Sequence, residues 1–167
     1  KKIKKDGLAK KIGVSVYSGQ EIDGILDRFK PDIIQIPFNV ADYRLVRSGH
    51  LLKLKKLGVE IHARSIFLQG VLLQHPRDLP NFFKPILSEL EELDSAAKEQ
   101  GLSKLAICFA AALKQVELDV ILVGVENFPQ FEEIIQAIKA LETAKYKLPG
   151  ELTIGEKFID PSKWPKL

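Results

Sequence analysis

Along the chain, short alternating or continuous apolar runs give way repeatedly to apolar residues spaced for one helix face. Residues 1–7 read as the frayed end of a helix with Gly7 as its C-terminal stop. In residues 9–18, Ile12, Val14 and Val16 alternate ahead of a Ser-Gly turn, which predicts a first strand. Residues 20–29 carry Ile22, Ile25, Leu26 and Phe29 on one helical face, and Lys30-Pro31 ends that helix. Residues 32–38 predict a second strand, apolar apart from Gln35, which runs into a loop at Pro37 and Asn39. A helix over residues 50–57, closed by Gly58, precedes a third strand over residues 59–64. Residues 65–80, rich in Pro, Gln and Arg, keep neither period, and a loop that long in a compact domain is usually functional or disordered. Two helices follow, over residues 81–100 and 103–115, divided by Gly101, and Ser103 is placed to cap the second.

The fourth unit, residues 119–141, has the strongest pattern. Val120, Ile121, Leu122 and Val123 form a continuous apolar run of the kind expected for a strand buried on both faces of a parallel sheet. Gly124 breaks it, Asn127 with Gln130 reads as a capping box, and Pro129 suits a first helical turn. Phe131, Ile134, Ile135, Ile138 and Leu141 then give one apolar face. Such a turn aims unpaired N–H groups and the positive end of a helix at the strand end, which suits an anion such as a nucleotide phosphate. An ordinary βα turn that binds nothing has the same pattern. From residue 143 onward Pro149, Gly150, Pro161 and Pro165 predict an irregular tail wrapping the surface, with Trp164 near its end.

Strand alternates with helix four times, so the fold class is α/β with a parallel sheet built from right-handed βα repeats. An open doubly wound sheet and half of an eight-stranded βα barrel both satisfy that pattern. Either one places ligands beyond the carboxyl ends of the strands, at Ser15, Gln35, Asn39, Arg64, Ser65 and residues 124–130.

Composition narrows the function classes. A chain of 167 residues, 46% hydrophobic and 28% charged, suits a globular domain with a real core, and a net charge of +3 is mild. Lys1, Lys2, Lys4, Lys5, Lys10 and Lys11 crowd the start, yet they are interleaved with Ile3, Leu8 and Ile12 and no aromatic residue accompanies them. A solvated helix end is the reading, with no nucleic acid partner. The single Cys108, within LAICFAAAL, reads as a packed core thiol. His50, His62 and His75 lack metal-ligand spacing, and Asp32 and Asp119, each preceding a strand, read as caps or solvated groups. No apolar run is long enough for a membrane and no signal peptide is visible, so the expected location is cytoplasmic. The chain contains no Met, which suggests that it has been processed or cut from something longer.

The phrases GVSVYS, DIIQIPFN, GVEIHARSIFLQGVLL and ILVGVENFPQFEEII, in this order and spacing, resemble the second half of an aldo/keto reductase barrel. The resemblance spans residues 4–141 and implies that the four strands are strands five to eight of a (β/α)8 TIM barrel. Residues 1–142 would then be a half-barrel cofactor-binding domain and residues 143–167 a tail. By the same resemblance, Ser15 and Gln35 meet the nicotinamide carboxamide, which needs one donor and one acceptor. Ser65, Phe67, Leu68 and Gly70 resemble the loop over the pyrophosphate. Gly124, Val125, Glu126, Asn127, Gln130 and Glu133 resemble the segment that holds the adenosine phosphate and adenine. The implied cofactor is NADP, with NAD a second candidate, and the implied reaction is hydride transfer between NAD(P)H and a small carbonyl substrate.

The sequence departs from the family pattern in several places. Val16 stands where many members have an asparagine beside the carboxamide serine. Arg64 stands where many have an aromatic that stacks on the nicotinamide, and a guanidinium can stack or meet an anion. Glu126 lies where NADP-preferring members often carry a base, and a carboxylate there favours a free ribose hydroxyl. The family's catalytic tyrosine, lysine, aspartate and histidine come from the first four strands and have no counterpart here, and Tyr17, Tyr43 and Tyr146 fall in no matching phrase. Two functions follow: the cofactor-binding half of an oxidoreductase, or a non-catalytic half-barrel that binds a nucleotide or serves in assembly. Two open strand edges predict a homodimer or pairing with a missing N-terminal half.

Overall fold

The computed structural model describes residues 2–165, so Lys1 of the expected N-terminal helix and residues 166–167 of the tail lie outside the described residues. The chain folds as α1 (Lys2–Lys5), β1 (Gly13–Ser15), α2 (Gly19–Leu26), β2 (Ile33–Pro37), α3 (Arg44–Arg47), α4 (His50–Lys56) and β3 (Glu60–Arg64), then α5 (Leu87–Glu99), α6 (Lys104–Lys114), β4 (Val120–Ile121), α7 (Phe128–Thr143) and α8 (Glu156–Ile159). The four strands are all parallel and lie in the order β1-β2-β3-β4. A sequential order with no reversal belongs to a βα barrel wall, whereas a doubly wound sheet reverses at its switch point.

Period-two alternation assigns the two faces of the sheet. Ile34, Ile36, Ile61 and Ala63 are fully buried on the helix-covered face. There the first three pack with Ile22, Leu51 and Leu54, and Ala63 packs with Phe109 and Ile134. Each such isoleucine contributes roughly 1.5–3 kcal/mol by leaving water. The other face carries a polar row in register, Ser15↔Gln35↔His62, which ends on Val120 at the β4 edge. Gly13 suits its close approach to β2, since an added Cβ would stand 3.0 Å from the Cβ of Ile33.

The structure corrects several sequence expectations. The first strand covers three residues rather than residues 9–18, because the N–H of Ile12 leaves the ladder for Asp32 Oδ2 at 2.8 Å. The fourth strand covers two, and Leu122 and Val123 are 37% and 39% exposed rather than buried on both faces. The cause is its place at the edge, where no neighbouring strand covers it. Residues 81–100 divide into a 3-10 stretch, Asn81–Ile86, and α5, because Pro85 has no N–H to donate to an α-helix there. The helical turn α3 had no sequence signal. It begins beside Asp42, whose two carboxylate oxygens each take an Arg44 bond at 2.8 Å. Along α7, Ile134 and Leu141 are buried while Phe131 is 48% exposed, since nothing packs over the first turn.

In the tail, Leu152, Ile154, Phe158 and Ile159 are buried. They join Phe83, Leu90 and Leu93 in a cluster on the α5 side, with Trp164 edge-on to Phe83 at 5.0 Å. The tail thus packs on helices and loop rather than on the strands. Cys108 is a core thiol, and burial pushes it up to about 12. No described helix is long and apolar enough to cross a membrane.

At the amino ends of the strands a device repeats. Asp32 precedes β2 and accepts from the N–H of Ile12 on the β1 side at 2.8 Å. Asp119 precedes β4 and accepts from the N–H of Ile61 on β3, also at 2.8 Å. Each also pairs with a lysine, Lys4 for Asp32 at 2.8 Å and Lys55 for Asp119 at 2.6 Å. Lys4 and the Ile12 N–H hold Asp32 below the usual carboxylate range. Burial pushes Asp119 up, but Lys55 and the Ile61 N–H outweigh it and hold this group low as well. Beside them Lys11 pairs with Glu60, which also bonds His62 at 2.7 Å. The two aspartates are therefore strand staples and not site residues.

Candidate functional site

The carboxyl ends of the strands border a cavity of about 970 Å³. Three stretches meet there: the strand residues Gln35 and Arg64, the turn that begins at Ser65, and the turn between β4 and α7. Ser15 stands behind the first of these. Its hydroxyl donates to Gln35 Oε1 at 3.2 Å and accepts from Arg64 Nε at 3.3 Å, so the amide NH2 of Gln35 remains a donor for a ligand. Arg64 also donates to Ser65 Oγ at 3.3 Å, and its guanidinium lies 4.3 Å from the centre of the Tyr17 ring.

The second stretch holds an unusual backbone. Ser65, Leu68 and Gln69 have φ of 60°, 47° and 53°, and Gly70 has 87°. For a non-glycine residue the left-handed region costs roughly 1–2 kcal/mol, so something must hold the turn. Leu68 is fully buried in the core and serves as its anchor rather than as a contact in the cavity. Leu68 N and Gly70 N close local bonds to Ser65 O and Phe67 O, each at 2.9 Å. Asn39, expected among the site residues, is fully buried and donates to Ser65 O at 3.2 Å, so it positions the turn from beneath. Of the residues expected here, Ser65, Phe67 and Gly70 line the cavity.

The third stretch contributes Gly124, Val125, Glu126, Gln130 and Glu133 to the lining. Asn127 does not line it and instead caps α7, accepting from Gln130 N at 3.0 Å. The expected capping box is half formed: Gln130 Oε1 accepts from Glu126 N at 2.8 Å rather than from Asn127 N. This bond ties the glycine turn to the helix start and orients Glu126 by its backbone. Two carboxylates, Glu126 and Glu133, thus share the cavity with one guanidinium, Arg64.

Other lining residues escaped the sequence reading. Gln69, Leu73 and Gln74 belong to the stretch without period, while Leu105 and Ile134 sit on helix faces that looked like ordinary core. None of the tyrosines lines the cavity. Tyr17 lies against Arg64, Tyr43 packs edge-on to Phe38 at 5.1 Å, and Tyr146 lies 4.8 Å from the Lys114 ammonium. Burial raises the Tyr43 hydroxyl above its usual value. His62 bonds Glu60, while His50 bonds Ser48 and Asp23. Among the described residues no group of three or more His, Cys, Asp or Glu side chains is arranged to hold a metal ion.

A sequential parallel βα sheet with a cavity at its carboxyl ends has the build of a βα barrel wall. The chain belongs to the Aldo/keto reductase family, whose profile matches residues 1–148. It is 28% identical to L-galactose dehydrogenase of Arabidopsis thaliana, over 98% of this chain and 53% of that protein. Among solved structures it is similar to the aldo-keto reductase AKR11C1 of Bacillus halodurans. The TM-score is 0.69 to the holo form, with 18% identity, 89% of this chain covered and 55% of that one. The glycerol dehydrogenase AKR11B4 of Gluconobacter oxydans gives a TM-score of 0.55 at 20% identity, covering 89% of this chain and 54% of that one. The chain thus spans about half the length of the relatives it matches.

Proposed function

We propose that this chain is the cofactor-binding half of an NAD(P)-dependent aldo/keto reductase, corresponding to strands five to eight of the barrel. The observation that carries the reading is the convergence, around one cavity, of Gln35, with Ser15 bonded behind it outside the lining, and two turns suited to phosphates. Ser15 and Gln35 supply an acceptor and donors for a carboxamide. The 65–70 turn and the amino end of α7 supply backbone N–H groups for a pyrophosphate and an adenosine phosphate. A nicotinamide held there would supply the hydride for a carbonyl substrate. The residues fit that group: the lining sets Gln35, Arg64, Ser65 and Gln130 among apolar side chains such as Leu73 and Leu105, and the space beside Gly124 is open.

The family's acid tetrad has no counterpart in this chain, so carbonyl protonation falls to residues outside it. The likeness to L-galactose dehydrogenase supports dehydrogenase chemistry without choosing the substrate. The open edges of β1 and β4 favour association, either with a second copy or with an N-terminal half. Light scattering tests this, and a stable monomer at high concentration argues against it. We place the chain in the cytoplasm.

Fluorescence titration with NADH and NADPH tests the cofactor reading. Binding of at least one is expected, and absence of both at about 1 mM, from a folded sample, counts against it. Glu126→Arg should shift preference toward NADPH by exchanging a repulsion for an ion pair with the 2′-phosphate. An unchanged ratio would remove that role from Glu126.

A further inference from the structure

We propose that Arg64 receives the carboxylate of an anionic carbonyl substrate, such as a 2-oxo acid. That the carboxylate is a substrate's rests on the reductase reading above. The guanidinium lies at the carboxyl end of β3 on the cavity wall and takes part in no ion pair among the described residues. Its partners are all neutral: Ser15 Oγ at 3.3 Å, Ser65 Oγ at 3.3 Å and Val16 O at 3.5 Å. Charge-assisted bonds run nearer to about 2.7–2.9 Å, so these three position the group without satisfying it. Arg44 shows the contrast, with both oxygens of Asp42 at 2.8 Å.

Counting donors makes the inference specific. A guanidinium has about five N–H groups. Nε is used on Ser15, one N–H of Nη1 on Ser65 and one of Nη2 on Val16, which leaves one on each terminal nitrogen. Two N–H groups on a plane steadied by the Tyr17 ring, at 4.3 Å, match the two oxygens of a carboxylate. The acids in the cavity, Glu126 and Glu133, belong to the β4–α7 side and pair with no part of Arg64.

The test is an NMR titration of the 15N-labelled chain with pyruvate and with methyl pyruvate, its neutral counterpart. Wild type, Arg64→Lys and Arg64→Met are compared, with each amide spectrum reporting the fold. Pyruvate should bind wild type at least about tenfold tighter than methyl pyruvate and shift Arg64 Nε–H with the Ser15 and Ser65 amides. Arg64→Met should abolish that preference and Arg64→Lys should keep only a fraction of it. Equal binding of the two ligands, or a preference that survives Arg64→Met, overturns the proposal. Inorganic pyrophosphate is the second probe. Should it, and not pyruvate, lose binding in Arg64→Met, the anion at Arg64 is the cofactor's and the proposal fails. An NADH titration of the same samples separates the two readings. Cofactor binding without a pyruvate response sinks this inference alone, whereas an Arg64-dependent pyruvate response without cofactor binding sinks the reductase reading and with it the assignment of that carboxylate to a substrate.

Discussion

The two ends of the sheet are built from the same strands and treat charge in opposite ways. At the amino ends, Asp32 and Asp119 each bond a neighbouring backbone N–H and a lysine. At the carboxyl ends, Arg64 keeps neutral partners at 3.3 Å or beyond, Glu126 and Glu133 face a cavity, and the adjoining turn holds three non-glycine residues in the left-handed region. Satisfied charge and relaxed backbone serve stability. Unsatisfied charge and strained backbone are tolerated where a ligand supplies the missing partners.

Three changes separate the ends further. The largest effect concerns chemistry: in the proposed reading the family's acid tetrad lies outside this chain, and general acid catalysis is worth on the order of 10² to 10⁴ in rate. The purified chain should therefore show negligible turnover of simple aldehydes with NADH or NADPH, and measurable reduction would relocate the acid into this chain. Next, Asp119→Ala should cost about 1–3 kcal/mol in urea unfolding, since it orphans the Ile61 N–H and the Lys55 ammonium, and should leave cofactor binding unchanged. The same staple sets a pH dependence. Asp32 and Asp119 have folded values below their unfolded ones, so the folded state binds fewer protons. Their contribution is complete above the unfolded value of about 3.9 and is lost as pH falls through the depressed folded values. Asp119→Asn should flatten that acid limb. The smallest effect is at the strained turn, where Gln69→Gly should raise stability by about 1 kcal/mol or less by removing a left-handed side chain.

The sequence exposed the repeating architecture because period is a backbone property. Ile34, Ile36 and Ile61 had to be buried wherever the strands paired, and a helix cap such as Ser103 acts within its own turn. Parallel alternation left two architectures open, and only the observed strand order chose between them. The edge status of β4 was hidden, since an apolar run such as 120–123 looks the same at a sheet's centre as at its rim. The cavity-lining strand residues Gln35 and Arg64 could be placed by position alone. Leu68 turned inward within a left-handed turn, and Asn39 turned inward to donate to Ser65 O and accept from Ala41 N. Gln69, Gln74 and Leu105 reach the cavity through tertiary packing that no local pattern records.

The central claim, that the carboxyl ends bind a nicotinamide dinucleotide while the amino ends are structural, is tested most directly by mapping amide shifts of the labelled chain on titration with NADH and NADPH. Perturbed amides should gather at Ser15, Gln35, residues 64–70 and residues 124–133, with Ile12, Asp32, Ile61 and Asp119 unmoved. Shifts centred on the amino ends, or none at any concentration up to about 1 mM from a folded sample, would contradict it.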